Sequence, residues 1–493
     1  MTWIGAALLF AVACNKKTDE KKAEPPPKVV EKEKTEPVKA APVDVTVTSK
    51  SPEAIKHFEE GRNLQDHQRA PEAIEHYKKA VEADPEFALA LAYLGSLTPG
   101  AEGTDMLAKA GTLMAKLPEA EQQQIIAMQA ARAGDLVKMK AAYAKELELA
   151  PGAWRVDGVL ANIANGERNY PEAIKHAEHA LSVKPDLALA YNVIAYARAG
   201  QHEWDQAITA AKKQVELLPK EPNPHDTLGE VLLWAGKYDE SEKEFAAAVA
   251  MEPKFTFAWQ GVALARGYRG DFKGAHEALA KRTAAETGPT KLDAMIDDAW
   301  ISFAEDKLPA ALATLDAVEK DPAAKDKPAF AFAALDRGHM LVQAGKYADA
   351  AKAFAAAKTR GDQLAGNAKN ELSRGLRVGA LRIAAYTGKP AADTDKLLAA
   401  NDEDMKLLGD TAQQKTLVAY SKGLAAWAKK DVPGAITEMS KCEPEMTLCR
   451  FDLAVAQRKS GDKAGAAATE KLLRETPRRE VPAVYLLTHL PKS

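Results

Sequence analysis

The sequence is poor in aromatic residues, has no excess of charge of one sign, and holds only three cysteines. Aromatic side chains make up 6% of the 493 residues, whereas 46% of residues are hydrophobic and alanine is abundant. This composition suits many packed helices better than a sheet of β-branched side chains, so it predicts an all-α fold. The length exceeds that of a single hydrophobic core, which predicts several domains or an elongated repeat array.

The balance of charge bears on the class of partner. The chain has 67 Lys and Arg against 70 Asp and Glu, and no local arginine-rich patch replaces the missing basic excess. Binding to phosphate backbones depends on such an excess, because the basic side chains release counterions from the nucleic acid. We therefore expect no nucleic-acid partner.

A long apolar run is also missing, apart from the ten residues from Ile4 to Ala13. This run is too short to cross a bilayer as a helix and has the length of a signal-peptide core. It ends in Ala11-Val12-Ala13-Cys14, which resembles the lipobox of bacterial lipoproteins. The resemblance implies a signal peptide at 1–13, acylation of Cys14, and a lipid anchor in the bacterial cell envelope. A plain cleaved signal peptide and an uncleaved apolar tail are the alternatives.

The segment that follows is rich in charge and proline. Residues 15–50 contain nine lysines and no aromatic residue, so they bury too little apolar surface to offset the entropy of ordering. We predict that 14–50 is a disordered tether with a root-mean-square reach of roughly 30–35 Å. The alternative is a charged tail that serves solubility. Asn15, directly after the cysteine, implies by resemblance the outer membrane and a periplasm-facing protein.

Prolines recur at a fixed period in the body of the chain. Four of them are spaced by 34 residues, namely Pro151, Pro185, Pro219 and Pro253. An amphipathic stretch of one design precedes each, as in the copy with Gly229, Phe245 and Ala248. This pattern resembles the tetratricopeptide repeat, a helix-turn-helix in which small residues lie where the helices approach closely and proline ends the second helix.

The resemblance implies an architecture for most of the chain. We expect a right-handed superhelical solenoid of about eleven or twelve helical hairpins, with a repeat array over 51–289 and divergent copies over 290–493. The stretch Leu97-Thr-Pro-Gly-Ala-Glu-Gly103 predicts an irregular copy near 96–118. First helices of successive repeats would line a concave surface, which is the expected functional site.

Family positions that face this surface nominate a set of binding residues. Asparagine suits a peptide backbone because it both donates and accepts hydrogen bonds, and aromatic side chains supply contact area. The resemblance thus implies a non-catalytic scaffold that binds a protein or peptide, although Tyr196 and Trp234 would alternatively pack between helices. The nominated groove residues are Asn162, Asn165, Asn192, Tyr196, Asp226, Glu230, Trp234, Gln260 and Tyr268. Thr227 stands where the chaperone-tail clamp of some family members needs a basic residue, so that partner is not expected.

Signals of catalysis or metal binding are weak. His176 and His179 have helical i, i+3 spacing, but no third ligand stands at a convincing spacing, which favours a solvated helix face. The glycines between Gly267 and Gly274 lie in a predicted turn and lack the preceding strand of a phosphate-binding loop. We expect no enzyme activity, no cofactor and no metal. The alternative is an enzyme-like or small-ligand carrier role for the helical half that begins near Lys291.

Two cysteines remain if Cys14 carries lipid. Cys442 is predicted to end one helix and Cys449 to open the next, which brings the two side chains together across the turn. In an exported protein such a pair indicates a disulfide. Two buried thiols that pack as small apolar side chains are the alternative.

Overall fold

A computed structural model describes residues 45–66, 69–325, 327–389, 394–408, 412–443, 446–475 and 481–489. The signal peptide predicted at 1–13, Cys14, and residues 14–44 of the tether lie outside the described residues. The chain divides into two compact units between Gln201 and His202. We call residues 45–201 the N-terminal unit and the described residues of 202–489 the C-terminal unit.

The described ranges contain twenty-five α-helices and no strand, which confirms the all-α fold class. In the N-terminal unit the helices are α1 (Pro52–Asp66), α2 (Ala70–Ala83), α3 (Ala88–Leu97), α4 (Gly100–Leu113), α5 (Glu119–Ala133), α6 (Leu136–Leu149), α7 (Trp154–Gly166), α8 (Tyr170–Val183) and α9 (Ala188–Gly200). In the C-terminal unit they are α10 (Trp204–Leu217), α11 (Pro222–Trp234), α12 (Tyr238–Met251), α13 (Phe257–Tyr268), α14 (Phe272–Ala285), α15 (Gly288–Ala304), α16 (Leu308–Lys320), α17 (Pro328–Gln343), α18 (Tyr347–Gly361), α19 (Gly366–Thr387), α20 (Thr394–Leu408), α21 (Ala412–Ala428), α22 (Val432–Met439), α23 (Thr447–Ser460), α24 (Lys463–Arg474) and α25 (Val481–Thr488). None of the helices described has the length and apolar character needed to cross a membrane.

Consecutive helices pack as hairpins within each unit. The N-terminal unit pairs α1 with α2, α3 with α4, α5 with α6, and α7 with α8, and α9 packs on α8. In the C-terminal unit the hairpins join α11 to α12, α13 to α14, α15 to α16, α17 to α18, α21 to α22, and α23 to α24. Each unit is therefore a stack of helical hairpins, as the repeat pattern predicts.

The periodic prolines mark the ends of second helices. Helix α8 ends at Val183, α10 at Leu217 and α12 at Met251, and the proline in each case lies two residues further on. Proline has no backbone N–H and clashes with the preceding turn, so the helix ends before it. The sequence period therefore predicts the helix boundaries as well as the repeat.

The small residues of the repeat give room to a large one. Phe245 on α12 is fully buried between two glycines of first helices. A Cβ at Gly229 would lie 2.9 Å from Phe245 Cδ1, and one at Gly261 would lie 2.5 Å from the same atom. These distances are too short for a carbon contact, so α11, α12 and α13 pack this closely because both positions are glycine.

The packed chain begins six residues before Ser51, where the hairpins were expected to start. Val45 is buried, and the hydroxyl groups of Thr46 and Thr48 donate to Glu121 Oε1 on α5 at 3.3 and 2.5 Å. Burial raises the pKa of the Glu121 carboxyl, and these hydrogen bonds act against that rise. Thr46 and Thr48 are therefore held against α5, and Ser49 and Lys50 bond to Asp84 at the end of α2, whereas a tether over 14–44 stays a prediction.

The irregular copy near 96–118 is a short hairpin. Helix α3 has ten residues, and Thr98 and Pro99 connect it to α4. A Cβ at Gly95 would lie 2.8 Å from the Gly103 carbonyl oxygen, so the two helices cross at backbone contact distance. Glycine at both positions allows this close approach, so the two helices still form a hairpin although the repeat is irregular.

The C-terminal unit departs from the repeat after α18. Helix α19 is 22 residues long and packs on α21, and α20 also packs on α21. The last described helix, α25, has no hairpin partner and lies against α15, α13 and α23. The repeat pattern predicts hairpins to the end of the chain, so α25 is a feature that the sequence analysis missed.

Candidate partner-binding site

A pocket of about 310 Å³ opens on the first helices of the N-terminal unit. Helices α1, α3, α5 and α7 and the start of α9 contribute most of its wall. We call it the first-helix pocket. It is lined by Arg62, Gln65, Asp66, Tyr93, Ser96, Gln124, Met128, Ala131, Arg132, Tyr143, Trp154, Arg155, Val156, Gly158, Val159, Asn162, Leu187 and Leu189.

An ion pair joins the first and fourth hairpins at this pocket. Arg155 on α7 donates from Nη2 to Asp66 Oδ2 at 2.9 Å and from Nε to Oδ1 at 3.2 Å, across 89 positions of sequence. The two side chains are 19% and 18% exposed, and the Arg155 guanidinium lies 4.0 Å from the centre of the Trp154 ring. The polar contact thus links α1 to α7 while remaining in reach of solvent.

Arg132 brings a second positive charge to the pocket, near the end of α3. Its Nη2 donates to the carbonyl oxygens of Thr98, at 2.7 Å, and Gly95. Both partners are neutral, and no carboxylate pairs with Arg132 among the described residues. Arg62 and Arg155 also line the pocket, and each pairs with a carboxylate, Arg62 with Glu59 at 2.8 Å and Arg155 with Asp66. The charge of Arg132, whose described partners are neutral, therefore favours an anionic group in the pocket.

A buried amide adds a hydrogen-bond acceptor. Gln124 is 4% exposed and donates from Nε2 to Tyr93 Oη at 3.1 Å. Its Oε1 atom is buried and has no hydrogen-bond partner among the described residues. Burial raises the pKa of the Tyr93 phenol, so this side chain stays protonated. Because a buried polar atom without a partner is costly, Gln124 Oε1 favours a ligand that donates a hydrogen bond.

Residues 58–97, which run from within α1 through the whole of α2 and α3, match a family model described as "Tetratricopeptide repeat". This segment of the chain matches a tetratricopeptide repeat. The matched segment contributes Arg62, Gln65, Asp66, Tyr93 and Ser96 to the first-helix pocket. The pocket is therefore partly built from the repeat itself.

Several solved repeat structures resemble parts of the chain, whereas no curated protein matches it in sequence. A tetratricopeptide repeat protein from Parabacteroides merdae ATCC 43184 is 17% identical with a TM-score of 0.40, over 52% of this chain and 98% of that one. PilW, described as a type IV pilus biogenesis factor, is 18% identical with a TM-score of 0.36, over 42% and 96%. MamA is 21% identical with a TM-score of 0.30, over 32% and 94%. These TM-scores are too low to support an argument about the fold, so the assignment of the fold depends on the helix pairs observed in this chain.

The groove residues predicted in the N-terminal unit differ in their placement. Asn162 lines the first-helix pocket, and its Nδ2 donates to the Gly158 carbonyl oxygen at 3.0 Å. Asn165 is half-buried near the end of α7, and Asn192 and Tyr196 are half-buried on α9. One of the four therefore lines the pocket, and the binding role of all four stays a prediction.

The five predicted groove residues of the C-terminal unit lie on α11 and α13. Asp226 is buried, and Glu230 and Trp234 are half-buried on the same helix. Gln260 donates from Nε2 to Asp297 Oδ2 on α15 at 2.7 Å. Tyr268 stacks on Tyr238, with ring centres 5.4 Å apart. Gln260 and Tyr268 thus take part in packing between hairpins, so their binding role stays a prediction.

Most of the pocket residues were not expected from the repeat pattern. Arg62 and Gln65 occupy, in the first copy, the repeat positions that nominated Asn162 and Asn165 in a later one, and Asp66 occupies the position that nominated Trp234. Extending the register to that copy would have found them. Arg132 gives no such signal, because its carbonyl partners lie at the end of α3, where the repeat pattern is interrupted.

The histidine pair of α8 has a partner that the sequence did not reveal. Asp157 on α7 is nearly fully buried, and its oxygens lie 2.8 Å from His176 Nδ1 and 2.5 Å from His179 Nδ1. No group of three or more histidine, cysteine, aspartate or glutamate side chains suited to a metal occurs in the described part of the chain. The arrangement is a hydrogen-bonded contact between the two helices of one hairpin.

Cys442 and Cys449 form a disulfide, with 6.6 Å between their Cα atoms. Cys442 follows α22 and Cys449 lies in the first turn of α23, the placement expected from the repeat register. Both residues are buried in the core between α21, α22 and α23. The bond therefore closes the turn between two hairpins.

A second cavity, of about 690 Å³, bears on the alternative of a small-ligand role beyond Lys291. It is lined by charged side chains that include Glu286, Lys291, Asp298 and Asp321. Glu286 Oε1 already accepts from Thr256, at 2.6 Å, and Asp298 lies 2.5 Å from a ring nitrogen of His276. Glu286 and Asp298 are thus engaged in contacts within and between hairpins, and a ligand role stays a prediction.

Proposed function

We propose that the chain is a non-catalytic interaction scaffold whose first-helix pocket binds a peptide segment of a partner protein through an acidic side chain. The observation that carries the proposal is Arg132, whose described partners are neutral carbonyl groups, in the same pocket as the buried acceptor Gln124 Oε1. A carboxylate would complement the charge of Arg132, since charge-assisted hydrogen bonds are the stronger ones. A peptide N–H would meet the unpaired acceptor.

The other lining residues support a peptide over an isolated anion. Trp154 and Tyr93 line the pocket with 8% and 5% of their surface exposed, and aromatic and arginine side chains are enriched where proteins bind one another. Asn162 lies at the exposed edge of the pocket, where its carboxamide is suited to a peptide backbone. Tetratricopeptide repeats bind protein or peptide partners, which supports the same class of ligand.

The test compares capped peptides that carry a glutamate with the same peptides carrying glutamine, by fluorescence anisotropy on the folded chain. The glutamate peptides should bind more tightly, and Arg132→Gln should weaken them about tenfold, the equivalent of roughly 1.4 kcal/mol. Arg132→Lys keeps the charge and should retain part of the affinity. Lys138→Gln removes an exposed charge from α6 and is the matched control. Equal affinity for the glutamate and glutamine peptides would contradict the proposed binding of an acidic side chain.

We also propose that the scaffold is a lipoprotein of the bacterial cell envelope, anchored through Cys14 to the outer membrane and facing the periplasm. The lipobox-like sequence and the charged segment after it support this placement. Two or more acyl chains, at roughly 0.8 kcal/mol per buried CH₂, would give stable attachment. The disulfide between Cys442 and Cys449 suits an oxidising compartment.

Labelled palmitate tests the anchor in the cell that produces the protein. The label should enter the wild-type chain and be lost in Cys14→Ala. Substituting Asn15 with Asp should move the labelled protein to the inner membrane, which fractionation would detect. Absence of label from the wild-type chain, or label that persists in Cys14→Ala, would contradict the anchor without affecting the peptide site.

A further inference from the structure

Two histidines face each other across the first hairpin of the N-terminal unit. His57 on α1 and His76 on α2 are half-buried, and their Nδ1 atoms lie 3.5 Å apart, with ring centres at 5.5 Å. An N–H donor in a good protein hydrogen bond lies about 2.7–3.2 Å from its acceptor. The two Nδ1 atoms are therefore close together without a strong bond between them.

The same two repeat positions hold a histidine and a carboxylate in two other hairpins. His176 Nδ1 lies 2.8 Å from Asp157 Oδ1 between α7 and α8, and His225 Nδ1 lies 2.7 Å from Glu244 Oε2 between α11 and α12. The members of each pair are 19 positions apart, as they are in the first hairpin. In the first hairpin a second imidazole thus stands in place of the carboxylate that accepts the hydrogen bond in the other two.

The distance between the two imidazoles fits a zinc ion. With the ring proton on Nε2, each Nδ1 atom offers a lone pair to a metal. Zinc binds imidazole nitrogen at about 2.0–2.1 Å, so two nitrogens of a tetrahedral site lie about 3.3–3.4 Å apart. Neighbouring nitrogens of a square-planar copper site with similar bonds lie only about 2.8 Å apart. The observed 3.5 Å therefore favours tetrahedral Zn²⁺.

The core of the hairpin holds the backbone that carries the two histidines. Phe58 and Tyr77, the next residues in sequence, are fully buried, and their ring centres lie 5.7 Å apart. Tyr77 Oη also donates to Gln65 Oε1 at 2.8 Å. An ion that binds here meets two ligands that are already close together, which lowers the entropy cost of binding.

Water has to complete the coordination of such an ion. No group of three or more histidine, cysteine, aspartate or glutamate side chains suited to a metal includes this pair in the described part of the chain. Glu72, one turn before His76 on α2, already accepts from Arg69 Nε at 2.9 Å. Both histidines are partly exposed, so water can reach an ion bound between them. Two protein ligands make a weaker site than the three or four of catalytic and structural zinc sites.

We infer that His57 and His76 form a two-histidine site for Zn²⁺, completed by water, which joins α1 to α2. The bound ion replaces a weak contact between two imidazoles with two metal–nitrogen bonds. The sequence pattern did not predict this site, because the two histidines lie on different helices, 19 positions apart. The zinc site is independent of the acidic-peptide pocket and of the partner proposed for it.

Equilibrium dialysis against Zn²⁺ at neutral pH tests the site on the full chain with Cys14→Ala, which removes the cysteine outside the disulfide. His57→Gln and His76→Gln should each lose one bound ion, with an affinity about tenfold or more below wild type, because one imidazole remains. His225→Gln removes a histidine from the equivalent position of the α11/α12 hairpin and is the matched control, which should bind zinc as wild type does. Equal zinc binding by wild type and both folded variants of the first hairpin would overturn the proposal.

A gain-of-function variant keeps the test decisive if the substitutions in the first hairpin disturb folding, which circular dichroism reports. Glu244→His places an imidazole opposite His225 at the same repeat positions and spacing, so this chain should bind one more Zn²⁺ than wild type. A folded Glu244→His chain that binds no additional ion would also overturn the proposal, since the two positions would then not suffice for zinc.

Discussion

The two units use the faces of their first helices differently. In the N-terminal unit a partly exposed ion pair between Asp66 and Arg155 joins the first and fourth hairpins and leaves a charged pocket beside it. In the C-terminal unit an apolar helix of the chain itself lies against α13, α15 and α23. The ion pair leaves charged groups accessible to a partner, whereas the apolar packing of α25 buries the helix surface against the chain itself.

Polar groups of the C-terminal unit are also buried within the chain, unlike the partly exposed ion pair of the N-terminal unit. Arg382 on α19 and Asp452 on α23 are fully buried, with Arg382 Nε 2.8 Å from Asp452 Oδ2. The hydroxyl groups of Tyr386 and Tyr420 each donate to Asp452 at 2.6 Å. Burial raises the pKa of both phenols, and the charge of Asp452 acts in the same direction. This network is part of a core, so it contributes to stability and not to a binding surface.

The largest effect is expected from Asp452→Asn. The substitution leaves the Arg382 charge buried without its partner, which costs about 3–5 kcal/mol of the free energy of unfolding. Hydrogen exchange of α23, followed by mass spectrometry, reports this loss in the C-terminal unit. Asp316→Asn is the control, since its pair with Arg337 is half exposed and should cost less than about 1 kcal/mol. A similar loss in both variants would contradict the contrast between core and surface pairs.

A smaller effect depends on pH and again belongs to the C-terminal unit. Burial, and then the charge of Arg382, lower the pKa of His339 to about 3 in the folded chain. Below its ordinary pKa, near 6.5, the unfolded chain gains a proton that the folded chain does not bind until about pH 3. Stability is therefore lost as the pH falls from 6.5 towards 3, by up to about 1.4 kcal/mol per pH unit.

The variant His339→Leu should remove this component of acid sensitivity. Urea denaturation at pH 8, 6 and 5 measures the free energy of unfolding, and the difference between wild type and variant should shift in favour of the variant as the pH falls. Met340→Leu, a neighbouring buried residue that does not titrate, is the control and should keep the wild-type slope. A slope unchanged by His339→Leu would show that other groups carry the acid sensitivity.

The regular part of the fold follows from local rules, and the contacts between distant helices do not. The prolines at 185, 219 and 253 predict where three helices end, because proline acts on the turn that contains it. The contact of Val484 with Gly267 joins residues that share no repeat copy, so no periodicity points to it. Asp66 and Arg155 meet across 89 positions, on helices of the first and fourth hairpins, so no repeat position pairs them.

The smallest effect, and the one that separates stability from binding, is expected from Asp66→Asn. Loss of a partly exposed pair should lower the free energy of unfolding of the N-terminal unit by about 1 kcal/mol or less, with a smaller loss at high salt because ions screen the charges. The same change removes the one carboxylate of the pocket lining and frees Arg155, so glutamate peptides should bind about two- to threefold more tightly at low salt. Anisotropy titrations beside urea denaturation measure both quantities on one preparation. Weaker binding in Asp66→Asn would mean that the ion pair holds Arg155 in place for the ligand, and the polar connection would then be part of the binding site and not its competitor.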